Sequence, residues 1–141
     1  MFVGCNSEKL AQSENPLLAD YETPFNVPPF DKIKDEHFRP AFTKALEKHN
    51  QEIDSIVNIK EQPTFLNTIV ALENAGSLLS NVSTVFFNMN SANTNDTIQA
   101  IAKDLAPLLS AHSDGIKLNA QLFARVKAVY DTKENFGLDQ E

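Results

Sequence analysis

The chain has no tryptophan, one cysteine and four glycines among its 141 residues. The single thiol, Cys5, excludes an internal disulfide framework and a cysteine-rich zinc site, because both need several cysteines. No stretch approaches the roughly 18 consecutive apolar residues that indicate a membrane span. Hydrophobic residues make up 42% of the chain and charged residues 22%. These proportions are typical of a folded globular domain.

The chain is acidic, with 12 Lys and Arg residues against 19 Asp and Glu residues and a net charge of -7. Lysine and arginine are not gathered into a stripe of the kind that attracts phosphate backbones, so we expect no nucleic-acid partner. A solvated acidic surface mainly keeps a protein soluble and does not identify a partner.

The first 23 residues are predicted to be a flexible leader, because they are polar, mixed and without apolar periodicity. Residues 2–7 resemble the end of a bacterial lipoprotein signal, which makes Cys5 the candidate for lipidation. The basic start and the apolar stretch of a secretory signal are missing, so an ordinary terminal cysteine is the alternative.

Three prolines follow the leader and impose extended backbone, at Pro24, Pro28 and Pro29. We expect the apolar residues among them to lie along the surface of the helices that follow, namely Phe25, Val27 and Phe30.

A first helix is predicted within residues 31–59, where apolar residues recur every three or four positions. Its buried stripe contains Phe42, Ala45, Leu46, His49, Ile53, Ile56 and Val57. Pro40 fits the first turn of this helix, so residues 35–38 are predicted to form a separate short turn.

A second helix of about 25 residues is predicted to begin after Thr64, which acts as its N-cap. Its seam alternates spacings of four and three through Phe65, Ile69, Leu72, Gly76, Leu79, Ser83 and Phe86. The small residues on this seam favour close packing inside one domain over a coiled-coil dimer. Phe86 and Phe87 point about 100° apart, so we expect one in the core and the other against a flanking helix or domain.

Two further helices complete the pattern. Helix three is predicted from Asp96 to Gly115, with Pro107 bending but not ending it, because the apolar stripe continues.

The asparagine-rich residues 88–96 are predicted to cap helices, since they lack the order and the closing glutamate of a calcium loop. Asn119 is predicted to cap helix four, which ends at Gly137. Residues 138–141 look like the caps of another helix, so the domain spanning 24–141 is expected to be incomplete at its C-terminal end.

The fold class predicted from these four stripes is all-α, an antiparallel bundle of about four helices without a sheet. A search for chemistry finds no catalytic, cofactor-binding or metal-binding residue. The three histidines, His37, His49 and His112, lack the short spacing that places two imidazoles on one zinc ion. His49 and His112 lie on apolar stripes, where a hydrogen-bonded boundary histidine is the usual explanation.

Several longer runs of residues resemble the thimet-oligopeptidase-like zinc metallopeptidase family, in its peptidyl-dipeptidase branch. They are residues 27–33 and 36–42, then Pro63, Thr64, Phe65, Asn67, Thr68 and Ile69, then 85–88, 105–107, 109–114 and 122–127. The resemblance covers about residues 24–141 in order, and its specificity lies in the combination.

Several expectations follow from that resemblance. Members of the family are helical, with two lobes around a channel that admits short peptides. Their H-E-x-x-H zinc site lies in the C-terminal part and is absent from these residues, so zinc is expected in the full-length enzyme and not in this chain. The chain would be part of the N-terminal lobe, a non-catalytic wall of the channel. Its partners would be short peptides and the missing C-terminal catalytic lobe.

The competing interpretation is a stand-alone helical envelope lipoprotein or interaction module without enzymatic activity. If Cys5 is lipidated, the protein is expected in the bacterial cell envelope or periplasm, and otherwise in the cytoplasm.

Overall fold

A computed structural model describes residues 15–136, with side chains through Glu134. The described chain is helical and contains no β-strand. Its α-helices are α1 (Phe38–Val57), α2 (Ala71–Asn74), α3 (Ser77–Ala92), α4 (Asp96–Lys117) and α5 (Ala120–Asp131). A π-helical segment, Phe65–Val70, leads into α2, and shorter 3-10 turns occupy Pro24–Asn26, Asp35–His37 and Lys133–Phe136. The all-α prediction is confirmed.

Three helical segments begin at side chains that bind the first free N–H groups: the π-helical segment, α4 and α5. Thr64 Oγ1 accepts from the Asn67 N–H at 3.1 Å, while Asn67 Oδ1 accepts from the Thr64 N–H at 2.7 Å. Asn95 caps α4 and Asn119 caps α5 through their Oδ1 atoms, at 2.8 and 3.0 Å. Each bond satisfies a backbone donor that the helix itself leaves without a partner.

The predicted single second helix is wrong, because the chain breaks at Ala75 and Gly76. Ala75 is extended and Gly76 adopts a left-handed conformation with φ of 77°. Glycine takes this conformation without steric cost. The apolar periodicity of the sequence nevertheless continues on both sides of the break. The seam therefore consists of two helical pieces joined by a turn.

Helix α4 continues through Pro107 from Asp96 to Lys117, which confirms that the proline does not end it. Helix α5 is shorter than predicted and ends at Asp131 instead of Gly137. The Thr132 hydroxyl donates to the carbonyls of Ala128 and Val129 at this end. A threonine that binds back in this way competes with continuation of the helix.

Two apolar clusters form the core. The larger one is built around the phenylalanine cluster, defined as Phe38, Phe42 and Phe86. The Phe86 ring lies edge-on to the other two, with centroid distances of 5.0 and 5.4 Å. Phe86 is fully buried and Phe87 is partly exposed, as the 100° rotation between neighbours predicts. The smaller cluster contains Ile53, Ile56 and Leu122 and joins α1 to α5.

The segment before α1 differs from prediction at two places. Leu17 lies within the predicted leader but is only 1% exposed and packs in the larger cluster. Asn15 fixes this turn, because its amide donates to the His37 carbonyl and its Oδ1 accepts from the Leu17 N–H. Conversely, the Phe25 side chain is 98% exposed, so the prediction that it lies along the helices is wrong.

Several predictions concern residues outside the described range. They are the lipidation of Cys5, the leader before residue 15 and the capping residues 138–141. Within residues 15–136, no helix has the length and apolar character needed to cross a bilayer.

Candidate functional site: a histidine pair between two helices

The structure brings two distant histidines together. His112 Nε2 on α4 lies 3.0 Å from His49 Nδ1 on α1, which is a hydrogen-bond distance. The ring centroids are 4.9 Å apart and the ring planes are tilted by 60°. We call His49 and His112 the histidine pair. Both rings are half-buried, as the prediction of hydrogen-bonded boundary histidines requires, but their contact with each other was not predicted.

The turn at Gly76 makes room for one of the two rings. A Cβ atom at this position would lie only 2.7–2.9 Å from atoms of the His49 ring. Because of the positive φ and this close approach, any residue other than glycine at position 76 would be energetically costly. The Gly76 N–H donates to Glu52 Oε2 at 2.7 Å, so the turn is also held to α1, one helical turn beyond His49. The break between α2 and α3 thus positions the imidazole.

The electrostatic environment keeps both rings neutral near pH 7. Burial lowers the pKa of His49, while the negative charge of Glu52 partly opposes this effect. Burial also lowers the pKa of His112, and a positive charge on His49 would lower it further. A hydrogen bond between two imidazoles needs one N–H and one free lone pair, so the pair accepts one extra proton but not two.

Open clefts lie on both sides of the histidine pair. One cleft of about 450 Å³ lies between α3 and α4 and is lined by both histidines, Gly76, Leu79, Ser83 and Lys117. A second cleft of about 460 Å³ lies between α1 and α4, with His112, Asn50, Asp54 and Leu108 among its lining residues. The pair therefore bridges a gap between helices where solvent and small ligands have access.

A second polar cluster surrounds Arg125, which is 8% exposed on α5. Its guanidinium donates to the Ile59 carbonyl at 2.9 Å, to Asn67 Oδ1 at 3.2 Å and to Thr68 Oγ1 at 3.4 Å. All three acceptors are neutral, and Arg125 Nε has no hydrogen-bond partner within the described chain. Because it links α5 to the ends of α1 and the π-helical segment, we assign Arg125 a structural role.

The remaining candidates lie apart from these clusters. His37 stands before α1, where its Nδ1 accepts from the Lys34 N–H at 3.1 Å. Among residues 15–136, no group of three or more His, Cys, Asp or Glu side chains is arranged to hold a metal ion. The histidine pair is the feature that sequence reasoning missed. The sequence indicated only that both histidines lie on buried stripes of different helices.

Comparison with known proteins shows that this helical chain is similar to one part of several proteins named as peptidases. Dipeptidyl carboxypeptidase from Salmonella typhimurium is 46% identical over 129 residues, which are 92% of this chain and 19% of that protein. Dipeptidyl carboxypeptidase from Escherichia coli is 42% identical over 127 residues, 90% of this chain and 19% of that protein. Oligopeptidase A from Escherichia coli is 29% identical over 117 residues, 83% of this chain and 17% of that protein.

No family model matches the chain. The chain nevertheless resembles a part of dipeptidyl carboxypeptidase along nearly all of its length, at 42% and 46% identity to the two relatives. It spans about a fifth of the length of the curated relatives it matches.

Proposed function

We propose that this chain is the N-terminal helical part of a zinc-dependent peptidyl-dipeptidase, in which it forms a non-catalytic wall of a channel for short peptides. The observation that carries the proposal is the 46% identity to a dipeptidyl carboxypeptidase over 92% of the chain. The H-E-x-x-H zinc site would lie in sequence outside these 141 residues. The two histidines of that motif would hold the zinc ion, which would supply Lewis-acid activation of water, and its glutamate would act as general base in the release of a dipeptide from the C-terminus.

The surface of the bundle supports a role within a larger protein. Three apolar residues of the π-helical segment and the α4–α5 region are largely exposed: Leu118 at 83%, Leu66 at 73% and Phe123 at 65%. Large exposed apolar side chains favour a partner surface when they gather in one region. In the proposed function, the catalytic lobe supplies that partner.

The test compares the chain alone with the protein read from the coding sequence beyond Glu141. We expect an in-frame H-E-x-x-H motif there, and release of C-terminal dipeptides from short blocked peptides by the longer protein. The matched control replaces the glutamate of that motif by glutamine, which should abolish hydrolysis without unfolding the protein. The chain alone should hydrolyse nothing and should hold no zinc after dialysis against a chelator. Hydrolysis by the chain alone, or no such motif downstream, would refute the proposal.

A stand-alone envelope or interaction module is the second candidate, since the same exposed side chains would suit it. We propose envelope attachment only if Cys5 carries lipid. Mass spectrometry of the protein from its native membrane fraction, with Cys5→Ser as control, distinguishes the two cases. A monodisperse, highly stable 141-residue monomer would favour the module, whereas self-association relieved by extending the chain would favour the peptidase.

A further inference from the structure

We propose that the histidine pair is a binding site for a divalent transition-metal ion, Cu²⁺ or Zn²⁺, which would connect α1 to the C-terminal half of α4. The ligands would be His49 Nδ1 and His112 Nε2, with water completing the coordination. This inference is independent of the proposed peptidase function, because it uses only residues of this chain.

The distance between the two nitrogens suits one shared ion. Two imidazoles at the usual metal–nitrogen distance of about 2.05 Å are separated by about 2.9 Å at a right angle and by about 3.3 Å at a tetrahedral angle. The observed separation of 3.0 Å falls between these values. Each ring would have to turn its nitrogen by roughly 35–45° away from the line that joins the two nitrogens, so that both lone pairs point at one ion and two bonds to a metal replace the hydrogen bond.

A metal requires a free lone pair on each ligand nitrogen, so both rings must be neutral and carry their protons on the other nitrogens. The hydrogen bond now uses one N–H of the pair, which must move to the other nitrogen of its own ring through solvent. His49 would then carry its proton on Nε2 and His112 on Nδ1, with no net proton release.

Access agrees with this assignment, and the nearby charges are of both signs. Glu52 is close enough to raise the pKa of His49 against burial, and its negative charge also favours a cation. Lys48 and Lys117 act against a cation, the first beside Glu52 at 3.8 Å and the second in the lining of the cleft. The cleft of about 450 Å³ beside both rings has room for an ion and its waters. With two protein ligands the site is exchangeable, unlike the buried site of a resident catalytic zinc ion.

The location gives the ion a structural effect. The buried residues of α4, Ile98, Ile101 and Leu105, all precede Pro107. Beyond the proline, the inward contacts of the helix are made by Leu109, His112 and Ile116, none of which is fully buried. A metal shared with His49 would hold this half of α4 to α1 more firmly than one hydrogen bond does.

The experiment titrates the 141-residue chain with CuCl₂ and separately with ZnCl₂, in a Cys5→Ser background that removes the one thiol. We expect one ion per chain, a higher melting temperature with metal, and an electron paramagnetic resonance spectrum of bound Cu²⁺ with two nitrogen ligands. His49→Gln and His112→Gln should each weaken binding by at least about tenfold. His37→Gln is the matched control and should bind like the parent.

A measurement on the parent protein guards against variants that fail to fold. Nuclear magnetic resonance of the ring nitrogens should show substoichiometric Cu²⁺ broadening His49 and His112 before His37. Equal broadening of all three histidines, binding that survives His112→Gln in a folded variant, or a spectrum with one nitrogen ligand would each overturn the proposal.

Discussion

The two halves of α1 contact their neighbours in different ways. The first half enters the phenylalanine cluster, where Phe38, Phe42 and Phe86 are essentially fully buried. The second half buries Ile53 and Ile56 in the smaller apolar cluster, and it also carries His49 and Glu52, whose contacts with His112 and Gly76 are polar and lie beside open clefts. Apolar packing is non-directional, whereas hydrogen bonds require particular partners and angles. Both halves therefore contribute apolar stability, and the second half adds contacts that specify the arrangement of the helices.

The largest expected effect tests the phenylalanine cluster. Phe86→Ala should reduce the free energy of unfolding by about 3–5 kcal/mol, because it leaves a cavity among three aromatic rings. Phe87→Ala is the matched control and should cost much less, since its ring is 44% exposed. Urea denaturation of both variants gives the comparison. Equal losses would mean that the phenylalanine cluster does not dominate stability.

A smaller loss of stability is expected when the polar contacts of Arg125 on α5 are removed. Arg125→Met keeps most of the buried volume but removes the donors to the Ile59 carbonyl and Thr68, so we expect a loss of about 2–3 kcal/mol. Lys127→Met on the same helix removes only an exposed ion pair with Asp131 and should cost about 0.5 kcal/mol or less. Thermal melts distinguish the two. A neutral Arg125→Met would show that its uncompensated charge cancels the gain from its hydrogen bonds.

The Gly76 turn is expected to tolerate no side chain. Gly76→Ala should destabilise the protein by about 2 kcal/mol, because its φ is positive and a Cβ meets the His49 ring. Gly115→Ala provides the control within α4, where nothing lies within 4 Å of the added Cβ. That substitution should stabilise by up to about 1 kcal/mol, since alanine favours a helix. A harmless Gly76→Ala would contradict the positioning role of the turn.

Acid is expected to reduce the stability that the histidine pair contributes. The pKa of each paired histidine is lowered by burial, so the unfolded chain binds protons more readily than the folded one. The stability from the pair is therefore complete above the unfolded pKa of about 6.5 and falls as the pH drops through it. We expect a loss of no more than about 1 kcal/mol, because both rings are partly exposed. His112→Gln should show a smaller decline between pH 7 and 5, and an identical decline would contradict this account.

Local features of the fold could be predicted from the sequence, whereas contacts between distant residues could not. Thr64 and Asn119 were predicted as caps, and Asn95 lies in the segment 88–96 that was predicted to cap helices, because a cap depends on residues three positions away. The break at Gly76 was missed, since helical periodicity continues through it and the reason for the break is a ring from another helix. The histidine pair was missed for the same reason, because its members are 63 residues apart. Leu17 was assigned to the leader because residues 6–23 are mostly polar and show no apolar periodicity.

Pro107 has a consequence for how α4 opens. A proline has no N–H, so the carbonyl four residues earlier, at Lys103, lacks its helical partner. The segment before this missing bond is buried against the phenylalanine cluster, whereas the segment after it has no fully buried side chain among the described residues. Cooperative units separate where few buried contacts cross. Amide hydrogen exchange should therefore divide α4 into two segments, with residues 108–117 exchanging through a low-energy opening that leaves residues 98–105 protected.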